Sequence, residues 1–182
     1  MTIEKEVVDV VDEDDNVIGT IFRKDEIFGK HILRSASIFL INDKNEILLQ
    51  LRSKNSKHYP LHWDVSGGGH VNSGESYEEC AKRELFEETG IRVDNLRFLG
   101  KHHFVLNGKR KRINSIYISK ISSNIKTNTT KVDINEVAQI QWICIPKIKK
   151  MLKNNIKFHP ECEFLLNTYI INMSLKDTTN TI

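Results

Sequence analysis

Three glutamates, Glu84, Glu87 and Glu88, stand at i, i+3 and i+4 in the run from Ser76 to Thr89. Ser76 with Glu79 three residues on has the pattern of a capping box, and Gly90 follows where a helix C-cap glycine belongs. At about 100° per residue, Tyr77, Ala81 and Leu85 make an apolar stripe with Cys80 at its edge. Glu84 and Glu88 fall on that stripe and Glu87 on its border. An amphipathic helix ordinarily sends its carboxylates to water on the opposite face. Carboxylates converging where the helix meets the protein body raise one another's pKa unless a cation sits among them. Oxygen donors on one face suit a hard divalent ion, Mg²⁺ or Mn²⁺, which keeps several waters and bridges to substrate phosphates. Arg83, four residues before Glu87, is placed to orient a carboxylate, and Glu75 to close the cluster. The ordinary role of such a run is a solvated face with i,i+4 pairs. Gly67-Gly68-Gly69 ahead of it weigh against that, because they weaken a strand and let backbone approach a ligand or metal.

The elements around this helix read as mostly extended. Glu6 to Val11 and Val17 to Phe22 flank a polar turn, and Ser35 to Ile41 and Glu46 to Leu51 repeat the pattern, giving two hairpins. Residues 52–62 read as a loop, and Trp63 to Ser66 as an extended piece broken by the three glycines. Leu96 to Val105 and Ile113 to Ile118 are strands around Asn107-Gly108, a strong turn signal. Residues 121–135 read as a surface loop and Val137 to Cys144 as a strand. Pro146 and Pro160 each open a helix, the last with Phe164, Leu165, Thr168 and Ile171 on one side. Strands with flanking helices imply an α/β fold with a mixed sheet. Residues 1–175 are expected to form one domain and 176–182 a frayed tail.

Composition narrows the class. The 182 residues carry 27 basic and 24 acidic side chains, and 39% of them are hydrophobic, which fits a globular chain with a real core. No apolar run approaches the roughly 20 residues of a membrane helix, and the first residues lack a secretion-signal profile. Cys80, Cys144 and Cys162 form neither a disulfide framework nor a zinc set, so a reduced, cytoplasmic protein is expected. The net charge of +3 hides an asymmetry: residues 1–100 hold 13 basic and 19 acidic groups, residues 101–182 hold 14 and 5. An acidic half beside a basic half suits a site that binds a cation and a polyphosphate together.

Gly69, then Glu75, then Arg83-Glu84-Leu85-Phe86-Glu87-Glu88-Thr89-Gly90-Ile91 resembles the Nudix box, complete at every defining position. The resemblance implies a Nudix-type α/β/α sandwich with a mixed central sheet, hydrolysing a diphosphate linked to another moiety. By position, Glu87 and Glu88 are implied metal ligands. Glu84 is a further ligand or the residue that orients the attacking water. The Gly69 region would offer a backbone carbonyl, Arg83 would align the carboxylates, and Glu75 would support the loop–helix turn. A glutamate outside the box often serves as general base in this family, and Glu136, just before the Val137 strand, resembles such a residue.

Residues 47–70 further resemble the branch that includes isopentenyl-diphosphate isomerase. Arg52 and Lys57 match, by spacing to Pro60 and Trp63, an Arg and a Lys that contact the substrate diphosphate there. The isomerase chemistry does not fit: Gly68 stands where that enzyme has a cysteine, Leu33 where it has a metal-binding histidine, and Lys109 to Asn114 contain no acid. His70 is retained and is a supporting candidate. A Mg²⁺-dependent pyrophosphohydrolase acting on a nucleoside-diphosphate-linked or similar small molecule is therefore expected. The alternatives are an isomerase-like enzyme and a non-catalytic nucleotide-binding module. Lys109 to Arg112 read as a solvated hairpin tip, and Trp63 and Trp142 as core, so neither nucleic acid nor membrane is an expected partner. The sequence leaves the oligomeric state open; a homodimer would use the N-terminal hairpin or the last helix.

Overall fold

The computed structural model describes residues 6–124 and 136–172, so most of the loop expected over 121–135 and the expected tail lie outside the described residues. Strands β1 (Val7–Val11) and β2 (Val17–Phe22) form the first hairpin, β3 (Ile32–Asn42) and β4 (Glu46–Arg52) the second. Each turn is closed by a side chain that mimics a backbone acceptor. Asp12 Oδ1 accepts the N–H groups of Asp14 and Asn16, and Asn42 Oδ1 those of Lys44 and Glu46. After them come β5 (Trp63–Asp64), β6 (Gly67–His70), α1 (Tyr77–Thr89), β7 (Arg97–Leu106) and β8 (Arg110–Ile121). The order ends with β9 (Val137–Cys144), α2 (Ile145–Lys153) and α3 (Pro160–Leu165), which runs into a π-turn over Leu166–Ile170.

Strand β3 is the hub of a mixed sheet. Along one edge it runs parallel to β8 from Ile32↔Lys111 to Asn42↔Ile121. Its other edge is shared by three antiparallel strands in succession: β1 at Ile32 and Leu33, β6 from Ser35 to Ile38, and β4 at Ile41. Because β4 and β6 pair with β3 but not with each other, the sheet forks between them. Strands β5 and β9 extend the β4 side, and β7 extends β8.

Alternation along the strands assigns each residue to a face. Ala36, Ile38, Leu40 and Leu48 pack under Cys80, Ala81 and Leu85 of α1. Phe39, Ile41, Ile47 and Leu49 pack on the opposite face with Ile148 of α2 and Cys162 and Leu165 of α3. Helices on both faces make the expected α/β/α sandwich. Full burial of a side chain such as Leu85 contributes about 2–3 kcal/mol. No described helix is long and apolar enough to cross a membrane.

Three expectations change. Gly67-Gly68-Gly69 do not break the extended chain but form β6, and none of the three has a positive φ. Their service is closeness: a Cβ on Gly67 would lie 2.7 Å from the Leu85 Cα, and one on Gly69 would overlap the Glu84 carboxylate. The final helix buries Cys162, Leu165, Leu166 and Ile170 and leaves Phe164 and Thr168 exposed. There the Ile171 N–H bonds to the Leu166 carbonyl, an i→i+5 turn that a 3.6-residue wheel does not project. The basic run is a solvated tip only in part: Lys109 is exposed in the turn, while Lys111 and Arg112 are half-buried on β8. Asn107 and Gly108 take the turn with φ of 51° and 69°, and β8 begins at Arg110. Strand alternation then sends Lys111 to Glu13 (3.1 Å) and Arg112 toward Glu161 (4.0 Å).

Candidate active site

Helix α1 is fixed at both ends as its sequence requires. The Ser76 hydroxyl accepts the Glu79 N–H at 3.2 Å and Glu79 accepts the Ser76 N–H at 2.9 Å, while Gly90 closes the helix with φ 72°. Arg83 gathers the carboxylates. Its Nε and Nη2 donate to the two oxygens of Glu75 at 2.7 and 2.8 Å. Its Nη1 reaches Glu84 Oε1 at 2.7 Å and Glu87 Oε2 at 3.3 Å. Nη2 also donates to the His70 carbonyl at 3.0 Å. A planar fork of five donors can do this and an ammonium cannot. Glu75 in turn accepts the Asn72 N–H at 2.9 Å, tying the loop after β6 to the helix.

The two inward glutamates are electrostatically costly. Burial pushes the Glu84 carboxyl up to about 7, against the downward pull of Arg83. Burial and the nearby Glu84 hold Glu88 well above the usual carboxylate range, against the hydrogen bonds from Gly68 and Gln50. Both bonds end on Glu88 Oε2, the Gln50 amide and the Gly68 N–H each at 2.9 Å. Glu87, with 55% of its side chain exposed, faces outward from the same helix edge.

The donor set fits a hard divalent ion. Mg²⁺ binds proteins through one or two carboxylates plus waters and substrate phosphates, and the mutually repelling carboxylates of buried Glu88 and half-buried Glu84 beside a side-chain-free Gly69 provide that. Among the described residues no three His, Cys, Asp or Glu side chains converge as a ready ligand set. The reason is visible: Arg83 takes Glu84 and Glu87, while Gln50 and Gly68 take Glu88.

The other expected residues lie on β4, the loop after it, β6 and the start of β9. On β4, Arg52 donates to Asp64 Oδ2 and to the His58 carbonyl, both at 3.2 Å. Asp64 also raises the pKa of Glu88, so Arg52 borders the site. Lys57 is exposed on the loop after β4. Glu136 is exposed at the start of β9, and its carbonyl accepts the Ser53 N–H at 2.9 Å, next to Arg52. His70 meets the box through its carbonyl rather than its ring. Paired with Ser35 in β3, it is one strand position out of phase with Gly69, so its side chain lies on the face away from α1. Trp63 and Trp142 pack against the two core clusters, as expected. Sequence reasoning passed over Gln50 and Asp64, which face each other across β4 and β5. The available signal was a polar residue inside Leu48-Leu49-Gln50-Leu51, where neighbours on both faces are buried or half-buried.

An α/β/α sandwich thus sets a carboxylate-bearing helix against a glycine strand at a sheet fork. The sequence profile of the NUDIX domain matches residues 31–162, and the chain belongs to that family. It is 30% identical to a prenyl-diphosphate phosphatase of Methanosarcina mazei over 156 residues, 81% of this chain and 84% of that one. It is 35% identical to isopentenyl-diphosphate Delta-isomerase 1 of Photorhabdus laumondii over 101 residues, 54% of this chain and 57% of that one. Among solved structures, DR0079 from Deinococcus radiodurans superposes with a TM-score of 0.73 at 25% identity, covering 90% of this chain and 99% of that one.

Proposed function

We propose that this Nudix hydrolase is a Mg²⁺-dependent pyrophosphohydrolase that directs water at phosphorus in a diphosphate joined to an organic moiety. The carrying observation is the pair of inward carboxylates, buried Glu88 and half-buried Glu84, on the sheet side of α1 and tied to Arg83, Gln50 and Gly68. Glu84, Glu87, Glu88 and the Gly69 carbonyl would hold the ion. When bound, Mg²⁺ (or Mn²⁺) neutralises diphosphate charge and acidifies its water. Arg83 orients the carboxylates through its five donors. Glu84 has Oε1 engaged by Arg83, which leaves Oε2 either to ligate the ion or to accept the proton of the attacking water. Glu136 is the second candidate for that proton. Arg52 and Lys57 supply a fork and a point charge for two phosphates, while Glu75 and His70 brace the loop into α1.

The organic moiety is read as a nucleoside or a similar group. A second reading, a prenyl diphosphate, is favoured by the likeness to the Methanosarcina mazei phosphatase over most of both chains. Isomerisation is disfavoured because Gly68 offers no thiol for proton transfer. The same reading takes residues 1–175 as one domain and the β2 edge, where Ile18 is 66% exposed, as the surface of a homodimer. A panel of nucleotides, nucleotide sugars and prenyl diphosphates with Mg²⁺, scored for phosphate products, tests the assignment. Wild-type protein should turn over at least one member and Glu88→Gln should lose at least 100-fold. Equal rates in the two would refute it.

A further inference from the structure

Gln50 occupies a position where strand β4 calls for an apolar residue. Leu48 and Leu49 beside it are fully buried, and Gln50 itself is 2% exposed. A buried amide is costly unless its hydrogen bonds are made. The bond it makes is specific: Nε2–H donates to Glu88 Oε2 at 2.9 Å. The Gly68 N–H donates to that same oxygen at 2.9 Å. Two donors, one from each arm of the β4–β6 fork, thus converge on one oxygen of a buried carboxylate. Asp64, paired with Gln50 across the sheet, receives other donors: the Val65 N–H at Oδ1 and the Arg52 guanidinium at Oδ2.

We propose that Gln50 is the positioning residue of Glu88. With Oε2 occupied from both arms of the fork, the carboxylate cannot spin about its last bond, and Oε1 alone is left to meet a divalent cation as a one-oxygen ligand. Gly68 is a fixed part of this clamp because its donor is backbone. Gln50 is the part that a substitution can remove. Without the amide, Glu88 regains rotation and the second oxygen, and the preorganised ligand is lost. Outer partners of metal ligands typically govern affinity by 10–100-fold. This inference rests on the metal-dependent reading of the site.

The test uses the full chain, metal-free, titrated with Mn²⁺ as the probe and followed by electron paramagnetic resonance. Gln50→Met keeps the length and volume of the side chain without the donor, and Gln50→Leu is the second variant. Mn²⁺ dissociation constants should rise about 10-fold or more in a variant that keeps the metal-free melting transition of the wild type. Affinity within twofold of wild type would overturn the proposal. So would loss of the fold in both variants, which would make Gln50 a core residue and nothing more. Glu88→Gln separates this from the underlying reading. If Glu88→Gln binds Mn²⁺ as tightly as wild type, the metal assignment fails; if only Glu88→Gln weakens binding, Gln50 alone is wrongly assigned.

Discussion

Glu84 should make the metal-free protein less stable as pH rises, and the size of the effect follows from its surroundings. Its carboxyl titrates near 4.5 when solvated and is pushed up to about 7 by burial, against Arg83. A carboxyl with a higher pKa folded than unfolded binds its proton more tightly in the native state. Stability is then full below 4.5, falls as pH passes from 4.5 to about 7, and levels off above. At about 1.36 kcal/mol per pH unit the loss is roughly 3 kcal/mol, or about 6–12 °C in melting temperature for a chain of this size. Glu88, raised in the same direction, extends the decline. Glu84→Gln should match wild type at pH 4.5 and melt higher at pH 8, both without metal. Mg²⁺ binds only the ionised pair, so its stabilisation of wild type should be larger at pH 8 than at pH 5. Calorimetry across this range decides it. A Glu84→Gln protein that melts lower than wild type at pH 8 would show that the carboxylate is net stabilising and refute the reasoning.

Two glycines separated by one residue should behave oppositely. Gly67→Ala drives a methyl against the Leu85 backbone (2.7 and 2.9 Å) and should cost about 3 kcal/mol, measurable by urea unfolding. Gly69→Ala meets only the end of the flexible Glu84 side chain, so stability should change by less than about 1 kcal/mol while turnover falls about 100-fold. Arg83→Lys keeps a charge but cannot serve Glu75, Glu84 and the His70 carbonyl together. It should lose about 1–3 kcal/mol of stability and at least 10-fold in kcat.

Most of the site helix was legible because its signals are local. Ser76, Glu79 and Gly90 mark its ends within the chain itself, and periodicity put Glu84 and Glu88 on the buried side before any neighbour was known. The hairpins were legible for the same reason, through Asp12, Asn42 and Asn107-Gly108. What escaped depends on contacts distant in sequence. Gly67 to Gly69 look like a break until Leu85 and Glu84 are brought against them from some 15–18 positions away. Gln50 looks like an anomaly until Glu88, 38 residues on, receives its amide. The π-turn at Leu166 shifts the buried stripe of the last helix, and no single residue there announces it. Arg112 joined a basic run in sequence, yet the pleat turned it toward Glu161.

The central claim is that water attacks phosphorus under the control of the α1 carboxylates. Hydrolysis of the best substrate from the panel in ¹⁸O-enriched water, with Mg²⁺, tests it most directly. Mass spectrometry should find one ¹⁸O on a phosphoryl group of one of the two phosphate-bearing products and none on carbon, with product formation abolished in Glu88→Gln. Label on a carbon-bound oxygen, or unchanged product formation in Glu88→Gln, would contradict the account.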